Sequence, residues 1–226
     1  MSVHERLALV RERIADAAIH SGRIPGAIRL VGVSKGMLAP MIAEAVEAGL
    51  EDVGENRVQE AAEKIPSVDA SVSAAPRWHL VGHLQTNKVR AALGLFDTIQ
   101  SIDSVRVAQA ISHSAARPVR VFLEVQFAHT PDRFGFDPDG IGEAVEAIRA
   151  LPSMDVVGLM TVAPLGLTAD ETRRIFRTLR ERRDALHESR PSVPLLELSM
   201  GMSEDFPLAI EEGATVVRIG RAIFAA

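Results

Sequence analysis

The strongest constraint on this chain is an alternation. Short apolar runs rich in β-branched residues recur at 28–33, 51–54, 78–82, 96–100, 119–126, 155–160, 195–199 and 215–219, with helical patterns between most of them. Runs this short and this apolar read as buried strands. The helices show themselves by spacing and by caps. Val3, Leu7, Val10, Ile14 and Ala17 step by three or four residues along an opening helix. Pro40 starts a second, with Ile42, Ala45 and Val46 on its apolar side and Gly49 at its end. Others follow Asp103, span 141–150, and begin at the capping-box sequence Thr168-Ala-Asp-Glu171, continuing through Ile175, Phe176, Leu179 and Leu186. This pattern within 226 residues predicts an α/β fold, a single (β/α)8 TIM-type barrel with an extra N-terminal helix. The competing architecture is an open doubly wound sheet, which needs about as many elements. No linker is long enough to divide the chain, so one domain over 1–226 is expected. The small, polar stretch 67–76 reads as a surface loop.

Composition excludes several classes of function. The formal net charge of -5 leaves no basic footprint for nucleic acid. Arg173, Arg174 and Arg183 are interleaved with Glu171, Glu181 and Asp184, which reads as a solvated helix face. With no cysteine, disulfides and thiolate metal sites are impossible. Residues 1–13 carry charges throughout and lack the apolar core of a signal peptide, and no apolar run approaches the ~20 residues of a membrane span. A cytoplasmic protein with no membrane partner is expected.

In barrels of this kind the working residues sit at the C-terminal ends of strands, and phosphate is often held after the seventh and eighth. Lys35 ends the first strand. Strand alternation places it with Arg29, Val31 and Val33 beside the apolar interior, where desolvation favours the neutral, nucleophilic amine; a lysine snorkelling to solvent is the plainer reading. The seventh strand runs into Ser199-Met-Gly201-Met-Ser203 and the eighth into Gly220-Arg221. Each glycine alone is an ordinary turn, but the two together, after the last two strands, suit an anion. Arg218 interrupts an apolar strand, so it needs either a ligand or an ion pair across the barrel. Asn56 follows the second strand, and His79 lies within the third, where an ordinary strand histidine is the simpler reading. No spacing fits a metal site, a GxSxG nucleophile or a Walker loop.

Taken together, Leu30-Val-Gly-Val-Ser-Lys35, Gly54-Glu-Asn56, Trp78-His-Leu-Val-Gly82 with Leu84-Gln-Thr-Asn-Lys88, Gly158-Leu-Met160, Leu198-Ser-Met-Gly-Met-Ser203 and Val217-Arg-Ile-Gly220 resemble the pyridoxal phosphate homeostasis proteins. These are single-domain barrels related in fold to the N-terminal domain of alanine racemase and bind pyridoxal 5'-phosphate (PLP). The resemblance runs from about Leu30 to Phe224. It implies that Lys35 forms a Schiff base with PLP. It also implies that Ser199, Gly201 and Gly220 belong to segments around the phosphate, that Arg218 faces the pyridine nitrogen, and that Asn56 contacts the ring. His79 matches a family position near the cofactor. The chain departs from the family at Gln126, Thr130 and Arg133, although Gly135 is kept. Arg221 stands where the family has a hydroxyl residue, and the chain ends at Ala226 without the usual tail.

A PLP-binding barrel is either an enzyme, such as an amino-acid racemase, or a protein that holds and delivers the cofactor, which is what the resemblance implies. An arginine at the ring nitrogen keeps that nitrogen unprotonated and weakens the electron sink. A racemase also needs a second base, a tyrosine supplied by a partner subunit in alanine racemase, and this chain has no tyrosine. The expectation is therefore a carrier without substantial turnover, monomeric, with apo PLP-dependent enzymes as partners. A Schiff-base aldolase using Lys35 without cofactor is a third reading.

Overall fold

The computed structural model describes residues 1–127, 134–189 and 195–225. Its strands are β1 Arg29–Val33, β2 Asp52–Glu55, β3 Arg77–Leu80, β4 Thr98–Ile102, β5 Val119–Glu124, β6 Met154–Met160, β7 Glu197–Ser199 and β8 Val216–Ile219. Each pairs in parallel with its sequence neighbours, and β8 returns to β1 with Arg29 opposite Val216, which closes the barrel. That last pairing excludes the open sheet, whose edge strands would stay unpaired.

The helices are α1 Val3–His20, α2 Ala39–Glu47, α3 Val58–Asp69, α4 Val89–Leu93, α5 Val105–Ser114, α6 Ile141–Arg149, α7 Ala169–Ser189, α8 Phe206–Glu211 and α9 Arg221–Phe224. The expected extra helix is α1. Its start is set by a reciprocal cap in which Ser2 Oγ accepts from Glu5 N–H (3.1 Å) and the Glu5 carboxylate accepts from Ser2 N–H (2.7 Å). Its apolar stripe, Val3 to Ala17, is buried, and it packs against α2, α8 and α9. Thr168 and Glu171 cap α7 in the same manner.

Two expectations need correction. Residues 67–69 belong to α3, not to a loop: Pro66 is held within the helix, and fully buried Val68 draws its last turn onto the core. The arginine-rich stretch of α7 is solvated at Arg174, Glu181 and Arg182, as expected, but Arg173, Arg177 and Arg180 also form an interface. Arg177 and Arg180 each donate to the buried Glu212 carboxylate at 2.9 Å, and Arg173 reaches Glu211 at 2.6 Å, tying α7 to the end of α8.

Side chains pack in two regions. Between strands and helices lies one continuous apolar cluster that includes Leu7, Ile42, Leu80, Ile99, Phe176 and Phe206. Inside the barrel is a small cluster of Val31, Phe122, Val157, Met160 and Val216. No helix among the described residues is long and apolar enough to cross a membrane.

Candidate functional site

β1 stops at Val33, and Ser34–Gly36 turns outward with Gly36 at φ +72°, a left-handed conformation that glycine adopts without strain. Strand alternation therefore ends before Lys35, which is exposed, and the expected desolvation by the barrel interior does not occur. The backbone on either side of Lys35 is pinned. Lys64 Nζ donates to Ser34 O (2.9 Å), Glu55 Oε1 (2.9 Å) and Glu60 Oε1 (2.5 Å). Ser34 Oγ donates to Glu55 Oε1 (2.6 Å), and Gly36 N–H donates to Glu60 Oε1 (2.6 Å). Burial pushes the Glu60 carboxyl up, but the bonds from Lys64 and Gly36 outweigh this and hold it below the usual range. Glu55 is fully buried, and its Oε2 has no hydrogen-bond partner among the described residues. Sequence reasoning missed this clamp. Its available signals were the Glu55 of Gly54-Glu-Asn56 and the i,i+4 pair of Glu60 and Lys64.

On the neighbouring strand β8, opposite Val31 of β1, Arg218 is buried at 4 % exposure. Its Nη1 donates to Ser199 Oγ (2.6 Å) and its Nη2 to Thr161 O (2.7 Å), bonds that engage two of the five guanidinium N–H donors. Burial lowers the guanidinium to about 10, against the charges of Glu124 and Asp205. The expected alternative, an ion pair across the barrel, is absent among the described residues. Ser199 is fully buried and serves Arg218.

The two glycine segments meet where Ala222 N–H donates to Ser203 Oγ (3.3 Å), a hydroxyl that sequence reasoning did not single out. Gly201 has φ +93°, and a Cβ there would lie 2.6 Å from Ala209. A Cβ on Gly220 would lie 2.9 Å from Val33 O, so close packing already requires both glycines. Met202 N–H donates to Asp205 Oδ1 (2.6 Å), and burial raises the Asp205 carboxyl. Arg221 is exposed and pairs with Glu204 (2.6 Å).

His79 lies within the barrel, 2 % exposed, with Nε2 at 2.8 Å from Asp52 Oδ1 and Nδ1 at 3.0 Å from Gln100 Nε2. Gln100 Oε1 accepts from Ser199 Oγ at 2.6 Å. Burial pushes the Asp52 carboxyl up, yet hydrogen bonds from Arg77 and then His79 hold it at about 2. Asn56 is half-buried and lines a depression of about 470 Å³ with Arg57, His83, Gln85 and Lys88. His83 Nδ1 bonds Asp103 Oδ2 (2.6 Å), and its ring stacks on Phe134 at 3.7 Å. A depression of about 690 Å³ lies at the other end of the barrel among Arg29, Asp52, Arg77 and Glu197, whose side chains are already paired. The C-terminal end, where Lys35 and Arg218 stand, is the better candidate. Of the loop residues that depart from the family, Gln126 donates its N–H to Phe136 O (2.9 Å) and packs on Gly135, while Thr130 and Arg133 lie outside the described residues, as does Ala226.

A family model described as alanine racemase, N-terminal domain, matches residues 19–226. The chain belongs to this family. Within it, the chain is 40 % identical to the pyridoxal phosphate homeostasis protein of Aquifex aeolicus (strain VF5), over 99 % of this chain and 98 % of that protein. It is 38 % identical to PipY of Synechococcus elongatus PCC7942 solved with PLP bound, with a TM-score of 0.87 over 99 % of this chain and all of that one. Alanine racemase from Corynebacterium glutamicum shares the fold, at TM-score 0.73 and 17 % identity, with 62 % of its chain covered. The barrel expected from sequence is thus the architecture of the family.

Proposed function

We propose that this chain binds PLP for intracellular PLP homeostasis. It holds the cofactor through a Schiff base on Lys35 at the mouth of a single domain, 1–226, and buffers or delivers it to apo PLP-dependent enzymes. The observation that carries this reading is Arg218, a buried cation whose bonds to Ser199 and Thr161 engage two of its five N–H donors. It stands at the end of the barrel where Lys35 offers an exposed amine. An aromatic ring nitrogen is an acceptor that such a donor fits. The relatives named for PLP homeostasis and the PLP-bound PipY support the same group.

When bound, the cofactor supplies an aldehyde for amines and an electron-drawing ring. The protein's part is to anchor and orient it. Lys35 offers the amine from a backbone fixed by Ser34 and Gly36. Arg218 gives a hydrogen bond and surrenders no proton at neutral pH. Asn56, just past β2, would contact the ring, while Ser199, Gly201 and Gly220 would place the segments around the phosphate, with His79 behind them. An open mouth lets the cofactor exchange, which suits a carrier acting as a monomer in the cytoplasm without substantial turnover.

Lys35→Ala should abolish the visible band of the bound cofactor, and borohydride should label the Lys35 peptide alone. Labelling at Lys64 or Lys88 overturns the assignment. Incubating the loaded protein with a PLP-requiring apo-enzyme measures delivery. One observation favours the alternative, a racemase-like enzyme: Asp103 orients His83 at the mouth as it would orient a proton-transferring histidine. Racemisation of a single amino-acid enantiomer at about 1 per second or faster, lost in Lys35→Ala, would establish that alternative.

A further inference from the structure

Inside the barrel the buried polar side chains form one line. Ser199 on β7 bonds Gln100 on β4, two strands that are not neighbours in the closed sheet, so the contact crosses the interior. From Gln100 the line passes to His79 on β3 and to Asp52 on β2, which Arg77 holds at the N-terminal end through Nε (2.8 Å) and Nη2 (2.7 Å). At the other end stands Arg218.

The bonds have a single direction. Arg218 has only donors, so Ser199 Oγ accepts from it and sends its own proton to Gln100 Oε1. That fixes the Gln100 amide, whose Nε2–H faces His79 Nδ1, which must then accept. The imidazole proton therefore sits on Nε2 and goes to the Asp52 carboxylate. With a neutral ring, the reverse orientation of Gln100 would set an unprotonated Nε2 against that carboxylate. Linked in series, these bonds polarise one another in a low-dielectric interior.

We propose, resting on the PLP reading above, that Gln100 and His79 are positioning residues for the cofactor: the line from Asp52 through His79, Gln100 and Ser199 sets the orientation of Arg218 toward the ring nitrogen from beneath the site. His79 thus acts on the cofactor at a distance, three hydrogen bonds from the guanidinium. A set of buried groups that merely satisfied one another would leave the cofactor's electronic state indifferent to its far end.

Two measurements test this. In the apo-protein labelled with ¹⁵N-histidine, His79 should show the Nε2–H tautomer near neutral pH. The Nδ1–H tautomer, or a doubly protonated ring, overturns the direction of the line. With PLP added, Gln100→Leu and the isosteric Gln100→Glu should each move the visible band and its pH midpoint. Each should also weaken PLP binding by about tenfold, the loss expected when a hydrogen bond to a charged group is disturbed. Ser199→Ala, a smaller change, should do the same if either larger variant fails to fold. If wild type takes up PLP and the folded variants match its band, midpoint and Kd, the relay is overturned while the PLP reading stands. If wild type takes up no PLP, the reading beneath it fails and the relay's role falls with it.

Discussion

Between strands and helices, Leu7, Ile42, Ile99, Phe176 and Phe206 pack apolar side against apolar side, whereas within the barrel Val31, Phe122 and Met160 share their space with Asp52, His79, Gln100, Ser199 and Arg218. The outer layer removes apolar area from water at roughly 25 cal/mol per Å² and is the main source of stability. The inner line adds little net, since desolvation of buried charged and polar groups about cancels their mutual attraction. Apolar side chains of similar volume would fold as well. The difference teaches where selection for stability ends and selection for the site begins: the surface of the same eight strands that faces the helices holds the fold, and the enclosed surface holds a guanidinium in place.

Truncation in the outer layer should give the largest effect on stability and none on the cofactor. Phe176→Ala should lower unfolding free energy by about 3–5 kcal/mol in urea titrations, the usual cost of emptying a buried phenyl site, with PLP affinity unchanged. A matching loss of PLP affinity in still-folded protein would show that the two regions are not separable.

An intermediate effect belongs to Asp52. Its folded value of about 2 lies below the ordinary 3.8, so it contributes stability that is present above about pH 4 and lost as pH falls toward 2. The shift corresponds to about 2 kcal/mol. Urea midpoints from pH 6 down to 2.5 should fall less steeply in Asp52→Asn than in wild type. Parallel curves would mean that the inner line carries no such linkage. The smallest effect should come from the exposed pair of Arg221 and Glu204. Arg221→Ala should change stability by no more than about 0.5 kcal/mol, and a larger loss would place Arg221 in the site after all.

The barrel was legible because parallel strands are buried on both faces and so appear as unbroken apolar runs. Boundaries slipped where this signal weakens: β4 begins at Thr98, two residues beyond the expected start, because Phe96 is buried without being in the strand. The end of α3 was hidden by Pro66 and Ser67, whose local preferences Val68 overrides by burial. Arg218 was legible as a cation inside an otherwise apolar strand, and Lys35 by its place after another. The partners of His79 were not, because Gln100 and Asp52 meet it only once the strands are in register. Nor was the exposure of Lys35, since alternation says nothing past the last paired residue. The Lys64 clamp joins a strand end to a helix and left only an i,i+4 pair to see.

That clamp has a mechanical consequence. With Ser34 and Gly36 both tied down, residue 35 is a fixed pivot, and its amine can sweep only the arc allowed by four methylenes. The search for a reactive carbonyl is then confined to a small volume above the mouth. Any molecule that enters this volume meets the amine at a high local concentration, and one that passes outside it is not touched.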